Sequence, residues 1–110
     1  MNKVLSLIGL AKRAGKVSNG TMAVRTSLIK RKAFLLVMSN DIAINTKADL
    51  LKDGEKNNTP WIMIGDKYEL GNSVGKAYRV AITINDYGMA QAILEEVKTA
   101  GLSVNSMGVV

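Results

Sequence analysis

At 110 residues, with 47% apolar and 22% charged residues, the chain fits one domain able to bury a single core, and its composition excludes a disordered polymer. It has no cysteine and no histidine, which removes disulfide and thiolate chemistry together with the commonest general base and metal ligand. The net charge of +6 is one-sided: the first forty residues hold eight lysines and arginines and no acid, while the rest sets seven basic residues against nine acidic ones.

Helix and strand patterns alternate along the chain. Val4, Leu7, Ile8, Ala11 and Ala14 share one helical stripe, and Gly15 stands where a left-handed C-terminal cap belongs. Lys16-Val17-Ser18 reads as a short extended connector. A second helix is expected from Gly20-Thr21, with Val24, Ser27 and Leu28 inward and the Lys30-Arg31-Lys32 cluster at its end. Ala33 to Ser39 is nearly all apolar, the mark of a strand covered on both faces. Asn40-Asp41 is turn chemistry, and Thr46 with Asp49 resembles a capping box for a helix that reaches Asn57 with Leu50 and Leu51 inward.

Pro60 opens a strand through Ile64, and Gly65-Asp66 opens a short helix to Val74. The loop Gly75 to Tyr78 leads into a strand from Arg79 to Ile84. Asp86 caps a final helix whose Met89, Ile93, Leu94 and Val97 share a face. Phe34 and Trp61 are expected inside buried strands. This order predicts an α/β fold, a three-layer α/β/α sandwich with a central mixed four-stranded sheet. Residues 1–100 are expected to form a single domain, followed by an aperiodic tail, 101–110, that frays.

The charge asymmetry points to a polyanionic partner, because a one-signed field concentrates such molecules and speeds their encounter. Catalysis finds little support. Gly9 to Gly15-Lys16 and Gly71 to Gly75-Lys76 have five and three residues between their glycines where a phosphate-binding loop needs four, and Val17 and Ala77 stand where it needs Ser or Thr. The carboxylates of Asp49 and Asp53, Asp66 and Glu69, and Glu95 and Glu96 fall on polar helix faces, so a solvated surface explains them. No apolar run approaches the length of a membrane span. The N-terminal stretch has the basic, acid-free character of a presequence, but Lys12-Arg13 occupies the place of a cleavage site and no linker follows. Resting on an anionic membrane is disfavoured, since Gly15 ends the helix early and its apolar stripe serves the core.

The start of the second helix carries more. Unpaired backbone amides at a helix N-terminus bind anions, and glycine lets a phosphate come close. Lys16 lies just upstream of Gly20-Thr21 and Arg25 one turn inside the helix. Lys30, Arg31 and Lys32 complement the helix dipole, with RNA contact as a secondary role. The segment Lys76-Ala77-Tyr78-Arg79 sets two cations around an aromatic able to stack on a base.

The ordered set Leu7 to Lys16, Gly20, Asn40-Asp41, Asn45-Thr46-Lys47, Gly65 to Gly71 and Gly75-Lys76 resembles the bacterial, YlxQ-like branch of the ribosomal protein L7Ae family over residues 4–98. The resemblance implies an α/β/α sandwich that binds kink-turn RNA, a sharply bent helix–bulge–helix with tandem sheared G·A pairs, without catalysis or metal. In that family a Gly-x-Asn-Glu-x-x-Lys pattern reads the G·A pairs, and a second loop packs apolar side chains under an extruded base. Here Gly20 matches, but Met22, Ala23 and Thr26 replace the Asn, Glu and Lys, and the second loop falls at the basic, aromatic Lys76 to Arg79. Methionine and alanine offer no hydrogen bonds to a base edge, so phosphate grip is retained and base selection relaxed.

The expected RNA contacts are therefore Arg13, Lys16, Gly20, Thr21, Arg25, Asn40, Lys76, Ala77, Tyr78 and Arg79, with no catalytic residue, metal or cofactor. The expected partner is structured RNA, ribosomal or regulatory, bound by a cytoplasmic, ribosome-associated monomer that uses neither membrane nor small-molecule substrate. The alternative is a protein–protein module on the same fold that has lost specific RNA recognition, with exposed apolar residues such as Met22 at the helix start as its interface.

Overall fold

The computed structural model describes residues 2–101 and 105–106. Helix α1 (Lys3–Arg13) starts where the Asn2 side chain accepts hydrogen bonds from the Val4 and Leu5 amides. Strand β1 (Val17–Asn19), helix α2 (Thr21–Ile29) and strand β2 (Leu35–Met38) follow. Helix α3 (Ile44–Gly54) runs into a 3₁₀ turn, Glu55–Asn57. Then come β3 (Pro60–Met63), α4 (Lys67–Ser73), β4 (Ala81–Ile84), α5 (Tyr87–Thr99) and the two-residue β5 (Asn105–Ser106).

The sheet order is β1-β4-β2-β3-β5. β2 and β3 are parallel, and every other neighbouring pair is antiparallel. The central strands β2 and β4 are buried at every residue, as an apolar run covered on both faces requires. Alternation sends Leu35, Val37, Ile82 and Ile84 to one face, where they pack with Val4, Ile8, Leu70, Ile93 and Val97 of α1, α4 and α5. Leu36, Met38 and Ala81 turn to the other face, against Val24 and Leu28 of α2 and Leu50 of α3. The three-layer α/β/α sandwich with a mixed sheet is therefore the fold.

Several local expectations change. Val17–Asn19 is a strand rather than a connector, because its partner β4 lies far along the chain and pairs Val17 with Ile84 and Asn19 with Ile82. No side chain caps α3, whose N-cap is Ala43; Thr46 lies within its first turn. The capping box belongs to α4, where the Asp66 carboxylate accepts from the Tyr68 and Glu69 amides and Glu69 accepts from the Asp66 amide at 3.1 Å. Phe34 precedes β2 and is exposed, edge-on to Tyr87 with ring centroids 5.8 Å apart. Trp61 is only partly buried, and the Lys47 ammonium lies 5.1 Å from its ring centre. Beyond the four expected strands, β5 pairs with β3, so Asn105 and Ser106 of the expected fraying tail join the sheet edge; residues 102–104 and 107–110 of that tail lie outside the described residues.

Three helices end alike, with a left-handed residue followed by lysine. Gly15 (φ 74°), Arg31 (φ 61°) and Gly75 (φ 72°) hold the turn. The amides of Lys16, Lys32 and Lys76 then reach back to the carbonyls of Ala11, Ser27 and Gly71 at 3.0, 2.9 and 2.9 Å. This closure satisfies the last carbonyls through backbone bonds and leaves each lysine head group uncommitted to its own helix end.

Candidate nucleic-acid interface

The edge strand β1 delivers the chain to Gly20, whose φ of 92° and ψ of 145° turn it abruptly into α2. That positive φ is why glycine stands there. The Gly20 amide still donates to the Ala81 carbonyl at 3.3 Å, tying the turn to the start of β4. No side chain caps α2, so its first amides keep their donor capacity and the positive end of its dipole faces outward. Thr21, Met22 and Ala23 are all exposed on this first turn, Met22 to 85%.

Arg79 lies across the same turn. Its Nε donates to the Asn19 side-chain oxygen at 2.8 Å, and its Nη1 donates to the Tyr78 carbonyl at 2.9 Å. A Cβ built on Gly20 would have the Arg79 Nε as its nearest neighbour, at 3.8 Å. A cation from before β4 and the uncapped helix start are thus brought to one place.

From there a groove of about 840 Å³ runs between β1 and α2. Its lining is polar: Asn85, which accepts from the buried Thr83 hydroxyl at 3.0 Å, donates to Ser18 at 2.9 Å, and the Ser18 and Ser27 hydroxyls lie 2.6 Å apart. Lys32 lines it along with Arg79, and no carboxylate does. The Thr26 hydroxyl, also lining the groove, donates back to the Met22 carbonyl at 3.1 Å.

Around the Gly20 end the loops form a rim. The Asn40 amide donates to the Gly65 carbonyl at 2.8 Å, and the Arg79 amide to the Lys67 carbonyl at 2.9 Å. Asp41 accepts from the Lys67 amide at 3.0 Å. The Ser39 hydroxyl, the Lys67 and Asp41 amides and the Lys67 charge hold the Asp41 carboxyl below its ordinary range, against a smaller opposing effect of desolvation. The Lys67 ammonium sits 5.4 and 6.0 Å from the ring centres of Tyr68 and Tyr78, both exposed.

Gly71 of α4 seats the loop that carries Tyr78. A Cβ there would fall 2.4 Å from the Tyr78 Cα, so only glycine allows the loop backbone to lie on the helix.

The residues expected to contact RNA divide among five places. Gly20, Thr21 and Arg79 line the groove, and Asn40, Ala77 and Tyr78 are exposed on the loops at its rim or leading to it. Lys16 sits at the opposite end of β1, where its carbonyl accepts from the Asn85 amide at 2.7 Å. At the rise of a strand that is about 13 Å from Gly20. Arg25 turns to α3, its Nε 2.7 Å from the Asp53 carboxylate, and this bond followed by the Asp53 charge raises its pKa further above neutrality. It is thus an ion-pair partner and does not line the groove. Arg13 and Lys76 lie together beside α1 and α4, against the other face of the sheet.

Sequence reasoning missed Asn19, Asn85 and Lys67. Lys32, expected to complement the helix dipole with RNA contact as a secondary role, lines the groove. The other three depend on pairings distant in sequence.

The family model described as ribosomal protein L7Ae/L30e/S12e/Gadd45 matches residues 2–94. The chain belongs to this family. Within the family it is 30% identical to the RNA-binding protein YlxQ of Bacillus subtilis over 88 residues, 80% of this chain and 88% of the relative. It is 28% identical to the large ribosomal subunit protein eL8 of Thermoplasma volcanium over 102 residues, 89% of this chain and 82% of the relative.

A solved Bacillus halodurans protein superposes with a TM-score of 0.84 at 31% identity, covering 89% of this chain and 99% of that one. The Giardia lamblia 15.5kD RNA binding protein shares the fold, with a TM-score of 0.71 at 20% identity over 86% of this chain and 84% of its own. Among the described residues no helix is long and apolar enough to cross a membrane, and no cluster of acidic side chains could hold a metal ion.

Proposed function

We propose that this L7Ae-family chain is a non-catalytic, cytoplasmic RNA-binding protein of the ribosomal-protein type, with residues 1–100 as its binding domain. It grips structured RNA of the kink-turn kind, ribosomal or regulatory, as a monomer. The observation that carries this reading is the acid-free groove at the uncapped start of α2, with Arg79 laid across Gly20. Amides, an arginine fork and a lysine along one track suit a phosphate backbone. The names of the YlxQ and eL8 relatives support RNA as the polyanion.

Specificity is the looser part of the function. Met22 and Ala23 stand at the first turn without a hydrogen-bonding side chain, and the Thr26 hydroxyl is turned back to its own helix. Base edges are read there by backbone amides and shape alone, so affinity for a kink-turn exceeds that for a plain duplex by a modest factor. Binding to a kink-turn RNA, to the same RNA with its G·A pairs replaced, and to a plain duplex tests this. A modest preference for the first, with strong salt dependence throughout, is the expected result. Failure to bind any of the three removes the reading.

The exposure of Met22 favours one second reading, a protein–protein module using the α2 start as its apolar centre. Partners retained after nuclease treatment and lost in Met22→Asp would support it over RNA binding.

A further inference from the structure

Lys12 and Arg13 end α1, and Lys76 follows the left-handed Gly75 that closes the end of α4. These three cations, from two separate elements, line one cleft of about 420 Å³ that also contains Asn72 and Ser73. The cleft exists because α1 and α4 cross closely at Gly9: a Cβ there would stand 3.2 Å from the Ser73 carbonyl oxygen. No carboxylate lines it, and the only ion pair among the described residues is the distant one between Arg25 and Asp53. Glu69 lines an adjoining cleft beside Arg13, where it accepts from the Asp66 amide at 3.1 Å.

The ordinary role of such cations is to offset a helix C-terminus. Here the last carbonyls of both helices are already met by backbone amides, Lys16 to Ala11 at 3.0 Å and Lys76 to Gly71 at 2.9 Å. Three like charges lining one cleft that has no carboxylate in its wall favour an external anion there.

The cleft is also tied to the Gly20 groove. Lys76 begins and Arg79 ends one short loop, so at full extension their Cα atoms are at most about 11 Å apart. One loop therefore carries a cation to each face of the sandwich.

We infer that the cleft formed by Lys12, Arg13 and Lys76 is a second phosphate-binding site, which holds a backbone segment of the same RNA that occupies the Gly20 groove. This inference rests on the RNA-binding reading and adds that the protein straddles its RNA, with the loop from Lys76 to Arg79 between the two contacts. The occupant is an RNA arm beyond the bend, recognised through its phosphates and not its bases.

Two probes test it: a kink-turn RNA with both helical arms intact, and the same RNA with each arm trimmed to the G·A pairs. The variant Lys12→Gln/Arg13→Gln/Lys76→Gln is compared with the wild type and with the equally neutralised control Lys52→Gln/Lys56→Gln/Lys98→Gln. We expect the cleft variant to lose about tenfold or more on the intact RNA, and its plot of log affinity against log salt to flatten by about two. On the trimmed RNA it should match the control. Equal losses on both RNAs, or a loss no greater than the control's, overturn the second site while leaving the groove reading intact. A wild type that binds neither RNA overturns both.

Discussion

Arg79 and Asn19 are 60 residues apart in the chain, yet the arginine Nε donates to the asparagine side-chain oxygen at 2.8 Å. The contact fixes the guanidinium over Gly20, at the mouth of the groove between β1 and α2. Asn19 thus positions the guanidinium that the proposed function assigns to a phosphate. Replacing Arg79 with Ala should weaken binding to every structured RNA by about tenfold or more, the loss expected for a charged hydrogen-bonding contact. Arg79→Lys should recover only part of it, since lysine has no fork for Asn19 and a phosphate together. Asn19→Ala should give a smaller loss of the same kind, read by fluorescence anisotropy across several RNAs.

Arg25 should behave otherwise. Its Nε is engaged by Asp53 at 2.7 Å and it faces α3. Arg25→Ala is expected to change RNA affinity by less than about twofold, within the effect of one screened surface charge. A double-mutant cycle on stability with Asp53→Ala should show a small coupling that shrinks as salt rises. A tenfold loss of RNA affinity in Arg25→Ala would return this residue to the interface.

Gly71 offers a test of the loop's seating. In Gly71→Ala the new methyl meets the Tyr78 backbone at 2.4 to 2.8 Å, so helix or loop must shift. Urea unfolding should report a cost of about 1–3 kcal/mol, typical of overpacking. The displaced loop carries Lys76 and Arg79, so RNA binding should fall even where the protein remains folded. An unchanged midpoint would mean that the loop lies elsewhere.

Asp41 links the rim to acid stability. Its carboxyl lies below the ordinary value of 3.8 because the Ser39 hydroxyl and the Lys67 amide favour the charged form. The charged form is preferred in the folded state, so its contribution is fully present above the unfolded pKa and is lost as pH falls through the depressed folded value. Asp41→Asn should therefore flatten the acid limb of the stability curve below about pH 4 and leave its shape near neutrality unchanged. Thermal unfolding followed across that range measures the difference.

Much of this architecture is written locally. The stripe Val4, Ile8 and Ala11, the Gly15 stop, the Asp86 cap and the apolar runs of β2 and β4 each carry their own signal, and each is realised. β1 is not legible, because three half-buried residues with two polar side chains become a strand only through the β4 ladder. The same limit applies to the groove. Gly20 can be read as a special turn, but Asn19, Asn85 and Arg79 meet there only once the sheet order is known. Lys16, adjacent in sequence, is carried away from Gly20 by the length of β1, and Arg25 finds a carboxylate that no local pattern announces. The Thr46–Asp49 motif failed because α3 starts two residues earlier, at Ile44, whereas Asp66 and Glu69 satisfy the same rule at α4.

Whether Arg79 and the α2 start hold RNA phosphates is read from affinity for a kink-turn RNA as a function of salt, for the wild type and Arg79→Ala. The log affinity of the wild type should fall steeply and linearly with log salt, and the slope of the variant should be shallower by about one. Identical slopes, or wild-type binding insensitive to salt, would contradict phosphate binding there.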